Sequence, residues 1–380
     1  MSNHTIQSIT IDMLRLPLAI MVIFIHLSPD VVCILDYQYP IFTGAGVLNF
    51  IEILCSKVIS HIAVPTFFFI SGLLFFIDFG VWSWRKYKAK IGNRLKTILL
   101  PYFLWNIVSF LLVALAILFS DIRYGGGNFI NFLKRNSFHI FYDIYSWDAG
   151  KNWLGEPQIL TAPFDVPLWF LRDLFIVSLS TPILYYCIKK GKIFFICILF
   201  IAYISRILPQ IPGLNLDAFM FFCLGAFFSL NNRNVLDFGN RFRCIILPGS
   251  VVLCTLSTLF WGREAFVYCC FQSIFCVGGI FALFIVASRF VVVLKIKPKV
   301  FLVRSCFFIY ALHAAPIPCI GSVLHFSKTF LHGILGDSIY SNCFCFFGIP
   351  ILTAVVCISF FNASNWICPR ATMLFSGIRK

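Results

Sequence analysis

The stretch Asp12-Met-Leu-Arg-Leu-Pro-Leu-Ala-Ile-Met-Val-Ile-Phe-Ile-His26 decides the fold class of this chain of 380 residues. From Leu14 to Leu35 the sequence is predominantly apolar, and at about 1.5 Å per residue it is long enough to cross a bilayer as one helix. The ionisable residues Arg15 and His26 lie within it. The stretch therefore predicts a transmembrane helix that carries polar chemistry.

Arg15 and His26 are predicted to share one face of this helix. At about 100° per residue their separation amounts to three turns plus roughly 20°, or roughly 16 Å along the axis. Ionisable groups at membrane depth are costly, and they usually mark a functional site turned toward the protein interior. Two structural roles are the alternatives: Arg15 as an anchor reaching the interface and His26 as a hydrogen-bonding partner of another helix. The shared face favours the site.

The composition is that of a polytopic membrane protein. Hydrophobic residues make up 60% of the chain and charged residues only 12%, against about 25% charged residues in soluble domains. Most of the 16 cysteines lie inside apolar runs, where a thiol packs as a small hydrophobe, and their spacings do not suit a metal site. The net charge of +15 comes from Lys and Arg at the ends of apolar runs, so we expect no nucleic-acid partner.

About ten transmembrane spans are predicted, within one membrane domain over residues 1–380. Lys and Arg are enriched in cytoplasmic loops, and their distribution here places both termini in the cytoplasm. Arg15 then lies at the cytoplasmic end of the first span, with His26 toward the outer side. The predicted spans are roughly 14–35, 58–78, 97–119, 166–187, 193–208, 216–230, 244–261, 266–288, 300–324 and 344–361.

The loop at about 120–165 is the one long polar segment, and it is predicted to lie outside. Long loops are usually functional or disordered, so this loop is expected either to contact an acceptor or to cap the bundle.

Beyond it, the neighbours Arg172 and Asp173 are not expected to pair with each other, because adjacent residues on a helix point about 100° apart. Near Trp84, mixed aromatic and basic residues are typical of contact with membrane lipid.

The Arg15 and His26 pair resembles the signature of the acyltransferase type 3 family, in which an Arg, ten residues and a His occupy the first span. Five short stretches resemble the family in the same order along nearly the whole chain. They are Val64-Pro-Thr-Phe-Phe-Phe-Ile-Ser-Gly72, Leu100-Pro-Tyr102, Pro167-Leu-Trp-Phe-Leu171, Phe222-Cys-Leu-Gly225 and Ser305-Cys-Phe-Phe-Ile-Tyr-Ala-Leu-His313.

The resemblance implies transfer of an acyl group, most often acetyl, from cytoplasmic acetyl-CoA to a hydroxyl of an envelope polysaccharide or a lipid-linked sugar. It implies a multi-pass protein of the plasma membrane, the inner membrane of a bacterium. His26, Arg15 and His313 are the expected catalytic residues; imidazole titrates near neutrality, so His26 suits a general base. His313 resembles the His of the family's Tyr-x-x-His.

Arg15, Arg94 and Lys96 are the residues expected to bind the phosphates of the acetyl-CoA donor, since Arg makes bidentate contacts with phosphate. The family has an Arg-x-x-Arg pattern here, but Thr97 occupies the second position, with Lys96 beside it. No bound cofactor and no metal are expected.

Two other functions are compatible with these residues. A transporter or flippase for an anionic metabolite or lipid would line its path with the same Arg and His residues, but the two halves show no inverted repeat. A polymerase or ligase using a lipid-pyrophosphate sugar would need its basic site outside, whereas the basic clusters here are predicted inside.

Overall fold

The computed structural model describes residues 3–27, 44–136, 138–151, 157–206, 208, 211–262, 265–336 and 338–377. Helices dominate these ranges, as their apolar composition predicts. In the first part of the chain the α-helices are α1 (Asn3–Ile25), α2 (Gly44–Ile53), α3 (Ala63–Phe75), α4 (Trp84–Arg94), α5 (Leu100–Tyr124) and α6 (Asn128–Arg135).

The remaining α-helices follow a short antiparallel hairpin made of β1 (Tyr145–Lys151) and β2 (Pro157–Ala162), with Tyr145 opposite Ala162. They are α7 (Trp169–Leu179), α8 (Thr181–Ser205), α9 (Leu216–Leu230), α10 (Val235–Arg241), α11 (Arg243–Phe260), α12 (Ala265–Val292), α13 (Val300–Leu312), α14 (Val323–Leu335), α15 (Ile339–Ile367) and α16 (Pro369–Ser376).

Several helices join through tighter or wider turns without leaving a helical path. A π-helical segment (Leu54–Ile59) and a 3-10 turn (Ser60–Ile62) connect α2 to α3, and a second π-helical segment (Leu95–Leu99) connects α4 to α5. Helix α8 bends at Lys192, whose backbone leaves the helical region. This bend lies between the predicted fourth and fifth spans.

Long apolar helical runs confirm the predicted fold class, a helical membrane bundle. Among the described residues, six runs are long and apolar enough to cross a bilayer, and α9 and α13 are apolar but shorter. The count of about ten spans and the cytoplasmic position of both termini stay predictions. The six runs are Thr5–Ile25, Gly46–Phe75, Trp84–Tyr124, Arg243–Phe260, Phe266–Val292 and Ile339–Ile367.

The predicted limits of the first span, 14–35, are wrong. Helix α1 begins at Asn3 and ends at Ile25, so Arg15 lies near its middle rather than at a cytoplasmic end. The sequence Ser28-Pro29 gives the reason for the early end, because the residue before a proline disfavours the helical conformation. The positions from 28 to 35 lie outside the described residues.

The polar loop at about 120–165 is structured where it is described. It contains the end of α5, helix α6 and the hairpin. The Tyr142 hydroxyl donates to the Pro212 carbonyl at 2.9 Å, and Arg172 donates to the Tyr142 carbonyl at 2.5 Å. These bonds hold the loop against α7 and the segment before α9, which matches the expectation of a cap on the bundle; contact with an acceptor stays a prediction.

Helices α3 and α9 cross at two glycines, Gly72 and Gly225, which end two of the five stretches that resemble the family. A Cβ atom at Gly72 would lie 2.0 Å from the Phe222 carbonyl oxygen, and one at Gly225 would lie 2.0 Å from the Phe69 carbonyl oxygen. Without side chains at these positions the two backbones touch, as small residues allow in membrane bundles. Phe68, Phe69, Phe221 and Phe222 around the crossing are fully buried.

We predict that Gly72→Ala and Gly225→Ala each prevent the close crossing and destabilise the bundle. The added methyl group meets backbone, which cannot move aside as a side chain can. The matched control is Gly92→Ala in α4, where an added Cβ has no atom within 4 Å and helix propensity alone favours Ala by about 1 kcal/mol. Thermal denaturation in detergent checks this, and equal midpoints for all three variants would contradict it.

Candidate active site

The two predicted catalytic histidines lie side by side. His26 follows the last residue of α1, and His313 follows the last residue of α13, in the two helices that pack along each other. Their ring centroids are 5.1 Å apart, with the ring planes inclined at 52°. The His26 side chain is exposed, whereas His313 is 0% exposed. The structure thus joins two residues that are 287 positions apart into one pair.

Hydrogen bonds define the tautomer of His313. Its Nδ1 lies 3.1 Å from the Ile309 carbonyl and 2.9 Å from the Tyr310 carbonyl. Carbonyl oxygens only accept, so Nδ1 carries the proton and Nε2 of the neutral ring is an acceptor. Nε2 is buried and has no partner among the residues that the structure describes. A buried acceptor without a partner is costly, and beside His26 it is a candidate for proton chemistry.

A turn after His313 ends α13 and starts α14. Pro316 and Pro318 lie in this turn, and the predicted ninth span, 300–324, is wrong because it merges α13 with the start of α14. The carbonyl of His313, freed by the break, accepts a hydrogen bond from the Leu324 amide at 2.9 Å. This bond fixes the start of α14 to the histidine pair.

His26 opens onto a cavity of about 790 Å³, within the size range of small-molecule sites. Its walls come from the end of α1, from α2, from α14 and from the first turns of α15. The cavity is mixed in character, since imidazole, ammonium, carboxylate, hydroxyl and amide groups alternate with apolar side chains. The residues lining it are His26, Leu27, Glu52, Ser322, Leu324, His325, Lys328, Thr329, His332, Gly336, Asn342, Cys345, Phe346 and Ile349.

The π-helical segment Leu54–Ile59 brings further polar groups close to His26. Lys57 interacts electrostatically with both His26 and His61. Two carbonyls of this segment accept hydrogen bonds from α12. The Tyr268 hydroxyl donates to the Lys57 carbonyl, and the Gln272 amide donates to the Val58 carbonyl, each at 3.1 Å. Single π turns inside helices occur frequently at functional sites.

Arg15 lies apart from the histidine pair, roughly 16 Å along α1. Its Nε atom is 3.2 Å from the Asp12 carboxylate, and its side chain is 39% exposed. Asp12 and Arg15 also interact with Cys306 on α13, two turns before His313. Arg15 is therefore on the same helix pair as the histidines but does not line the cavity that His26 lines. Its predicted roles in catalysis and donor binding stay predictions.

Arg94 is held between α3, α7 and α9. Its guanidinium donates to the Ser71 hydroxyl at 2.7 Å and to the Ser178 hydroxyl, and it lies 4.8 Å from the Phe75 ring centroid. Lys96, in the following π-helical segment, is exposed. These residues are near the end of α3, whereas Lys57 and His61 precede its start, so roughly 15 Å separates Ser71 from His61 along the helix. Donor binding by both residues stays a prediction.

The expectation that Arg172 and Asp173 do not pair is wrong. Arg172 Nε lies 2.9 Å from Asp173 Oδ1, and the same carboxylate oxygen accepts from the Gly213 amide at 3.0 Å. Adjacent Cβ atoms do diverge, but the long Arg side chain folds back while also donating to the Tyr142 carbonyl. The pair is buried and fastens the polar loop to α7, so its role is structural.

Asp165, just before α7, is a buried carboxyl that the sequence pattern did not single out. It is 0% exposed, and neither carboxyl oxygen has a hydrogen-bond partner within the described part of the chain. Burial raises the pKa of this carboxyl well above its usual range. It interacts with Tyr310, one turn before His313.

Sequence reasoning also missed the cavity-lining residues of α14. His325, Lys328 and His332 have the spacing of one helical face, and this signal was available. The predicted spans 300–324 and 344–361 place these three residues in a loop, whereas the structure has them on a helix.

Comparison with known proteins identifies the family of this chain. A family model described as an acyltransferase domain, the type 3 family, matches residues 8–362. The chain belongs to this family of multi-pass membrane acyltransferases. It is similar to the succinoglycan biosynthesis protein ExoH of Rhizobium meliloti (strain 1021), with 26% identity over 253 residues, which cover 65% of this chain and 60% of that relative. No solved structure matches the chain significantly.

We predict that Asp165→Asn stabilises the protein at pH values above the ordinary pKa of Asp. Because the folded pKa is above the unfolded one, the unfolded state loses its proton first as pH rises, and stability falls between the two pKa values. Asn removes this loss, so the stability of the variant relative to the native protein increases as pH rises. Thermal denaturation between pH 4 and pH 8 measures it. The control Asp78→Asn changes an exposed carboxyl; a difference between Asp165→Asn and the native protein that does not change with pH would contradict the assignment.

Proposed function

We propose that the protein is an O-acyltransferase of the bacterial plasma membrane that moves an acetyl group from cytoplasmic acetyl-CoA to a hydroxyl of an envelope polysaccharide or a lipid-linked sugar. The observation that carries the proposal is the contact between the buried His313 and the exposed His26, which lines a cavity of mixed polar and apolar character. Membership of the acyltransferase family and the similarity to a succinoglycan biosynthesis protein support it.

His26 is the general base in this proposal. The acceptor hydroxyl attacks the thioester carbonyl while His26 takes its proton, so a carbon–oxygen bond forms as the hydroxyl becomes nucleophilic. The tetrahedral intermediate then expels the coenzyme A sulfur, and the imidazolium of His26 returns the proton to that sulfur. The products are the O-acyl ester and free coenzyme A, with no net change in the protein.

His313 positions His26. Its Nδ1 proton is held by two carbonyls of its own helix, which leaves Nε2 as an acceptor for an N–H group of the neighbouring imidazole. The structure does not contain this bond; in the proposal the His26 ring turns to form it, which orients its other nitrogen toward the cavity, where the acceptor hydroxyl arrives. The bond also stabilises the imidazolium while the proton is on His26, as the third group of a catalytic triad does.

The donor is proposed to enter from the cytoplasmic end of the bundle, where Arg94 and Lys96 lie. Arg94 is already bonded to Ser71 and Ser178, so it offers its remaining N–H groups, and the exposed Lys96 offers a point charge for phosphate. Arg15 lies along α1 between that end and His26. The long pantetheine arm of acetyl-CoA would carry the thioester past Arg15 to the histidine pair.

We predict that His26→Ala abolishes acyl transfer and that His313→Gln lowers it by a smaller factor. Loss of a general base costs about 10²-fold or more, whereas loss of a positioning residue leaves the base in place. The measurement is incorporation of label from radiolabelled acetyl-CoA into isolated envelope material, at matched protein levels in membranes.

His139→Ala is the matched control, because this histidine is exposed in the polar loop and pairs with Asp143. Full activity of His26→Ala would overturn its assignment as the base. No incorporation by the native protein above empty membranes would contradict acetyl transfer and favour a different acyl donor or a transport function.

Lys96→Gln tests the donor site. Because Lys96 is exposed, its loss leaves the fold intact, and we expect the KM for acetyl-CoA to rise by about threefold or more with kcat retained, as for loss of one charge-assisted contact. Lys88→Gln, which removes another exposed ammonium from the neighbouring helix α4, is the control. Equal KM values for Lys96→Gln and Lys88→Gln would place the donor phosphates elsewhere.

A further inference from the structure

Helix α14 has two distinct faces. At 3.6 residues per turn, Phe326, Phe330 and Ile334 form an exposed apolar stripe, and the buried Val323 and Ser327 lie within or beside the same arc. The opposite face carries His325, Lys328, Thr329 and His332, which lie within about 100° of arc around the helix. We name this opposite face the α14 polar stripe.

The α14 polar stripe points into the protein's cavity, not toward lipid. All four of its residues line the cavity that His26 lines, and the exposed apolar stripe on the opposite side of the helix is the surface suited to lipid. A helix lying flat on a membrane would instead turn its cationic side chains to the headgroups beside its apolar stripe. The stripe therefore serves what enters the cavity.

Local contacts hold the stripe in place. The Ser322 hydroxyl accepts from the His325 amide at 3.1 Å and caps α14, while the His325 ring lies over Gly321, where a Cβ would be 3.2 Å from the ring. The Leu324 amide binds the His313 carbonyl at 2.9 Å. His325 is thus only twelve residues from His313 and is tied to it by backbone.

The charge of the stripe has one sign. It offers one ammonium and two imidazoles, and the sequence of α14 contains no Asp or Glu. Glu52 lines the cavity from α2, and it already has an interaction within the protein. A row of cationic and N–H donor groups facing a cavity is suited to carboxylate or phosphate oxygens.

We propose that the α14 polar stripe binds an anionic group of the acceptor, so that the acceptor is a saccharide carrying a carboxylate or a phosphate near the hydroxyl presented to His26. This inference rests on the proposed acyl transfer for the identity of the ligand as an acceptor. Two sources share this chemistry: an acidic sugar within a polysaccharide, and the pyrophosphate of a lipid-linked sugar. The stripe then selects the acceptor, while His26 reacts with it.

Binding to the purified full-length chain in detergent tests the stripe without requiring turnover. The probes are a neutral glucose oligosaccharide, the same oligosaccharide with one glucuronate residue, and polyprenyl-pyrophosphate-linked glucose, followed by ligand-observed NMR. We expect one anionic probe to bind about tenfold or more tightly than its neutral counterpart, as for a charge-assisted contact. Which anionic probe binds distinguishes an acidic sugar from a lipid-linked one.

Substitutions test whether this preference for anionic probes depends on the α14 polar stripe. Lys328→Gln and His332→Gln are expected to reduce it, Lys328→Arg to keep it, and added salt to weaken it. Lys134→Gln, which removes an exposed ammonium from α6, is the control and should leave it unchanged. Equal binding of neutral and anionic probes, or a preference that survives Lys328→Gln combined with His325→Gln and His332→Gln, would overturn the proposal.

Acyl transfer to the same probes separates this proposal from the proposed function. Transfer to neutral and anionic probes alike, unchanged by Lys328→Gln, would support the acyltransferase and overturn the anion site. Stripe-dependent binding of an anionic probe without transfer to any probe or to envelope material would support the anion site and contradict acetyl transfer.

Discussion

A backbone amide or carbonyl inside a bilayer has no water to bond, and this constraint governs where the bundle can depart from regular helix. Two departures near His26 are satisfied by a neighbouring element. Tyr268 and Gln272 donate to the carbonyls of Lys57 and Val58 at the π-helical segment. Leu324 donates to the carbonyl of His313 where α13 stops. At these two places the irregular backbone is bonded to neighbouring protein, and both places are close to His26.

The polar side chains of the site follow from the same constraint. A helix that ends inside the bundle leaves its last residues free of the regular ladder, which is why His26 and His313, each just after a helix end, can meet at 5.1 Å. The close Gly72 and Gly225 crossing has a different role, because it joins α3 to α9 by direct backbone packing, beside a hydrogen bond from the Ser229 hydroxyl to the Leu73 carbonyl. Close backbone contact thus joins α3 to α9, whereas the helix ends bring the two histidines together.

The fold class and the two histidines were predictable because long apolar runs and rare ionisable residues are local signals. The end of α1 at Ile25 was not, since hydropathy continues past Pro29 and only the proline marks the stop. The Arg172–Asp173 contact escaped because the spacing rule describes Cβ directions and not the reach of a long side chain bonded to Tyr142. The 5.1 Å contact of His26 with His313, and the burial of Asp165 without a partner, depend on tertiary packing that no single stretch encodes.

The two rings of the histidine pair differ in exposure, and this difference suggests which of them could act as the base. The exposed ring, His26, can reach a bulky acceptor in the cavity, whereas His313, 0% exposed, meets only protein. If the buried ring were the base, an acceptor hydroxyl would have to pass His26 to reach it. A cavity of about 790 Å³ lined by α14 can hold a sugar against His26, while Arg94 and Lys96 lie toward the other end of α3. In the proposed reaction, donor and acceptor would approach His26 from opposite ends of one bundle, with the pantetheine arm carrying the thioester to the acceptor.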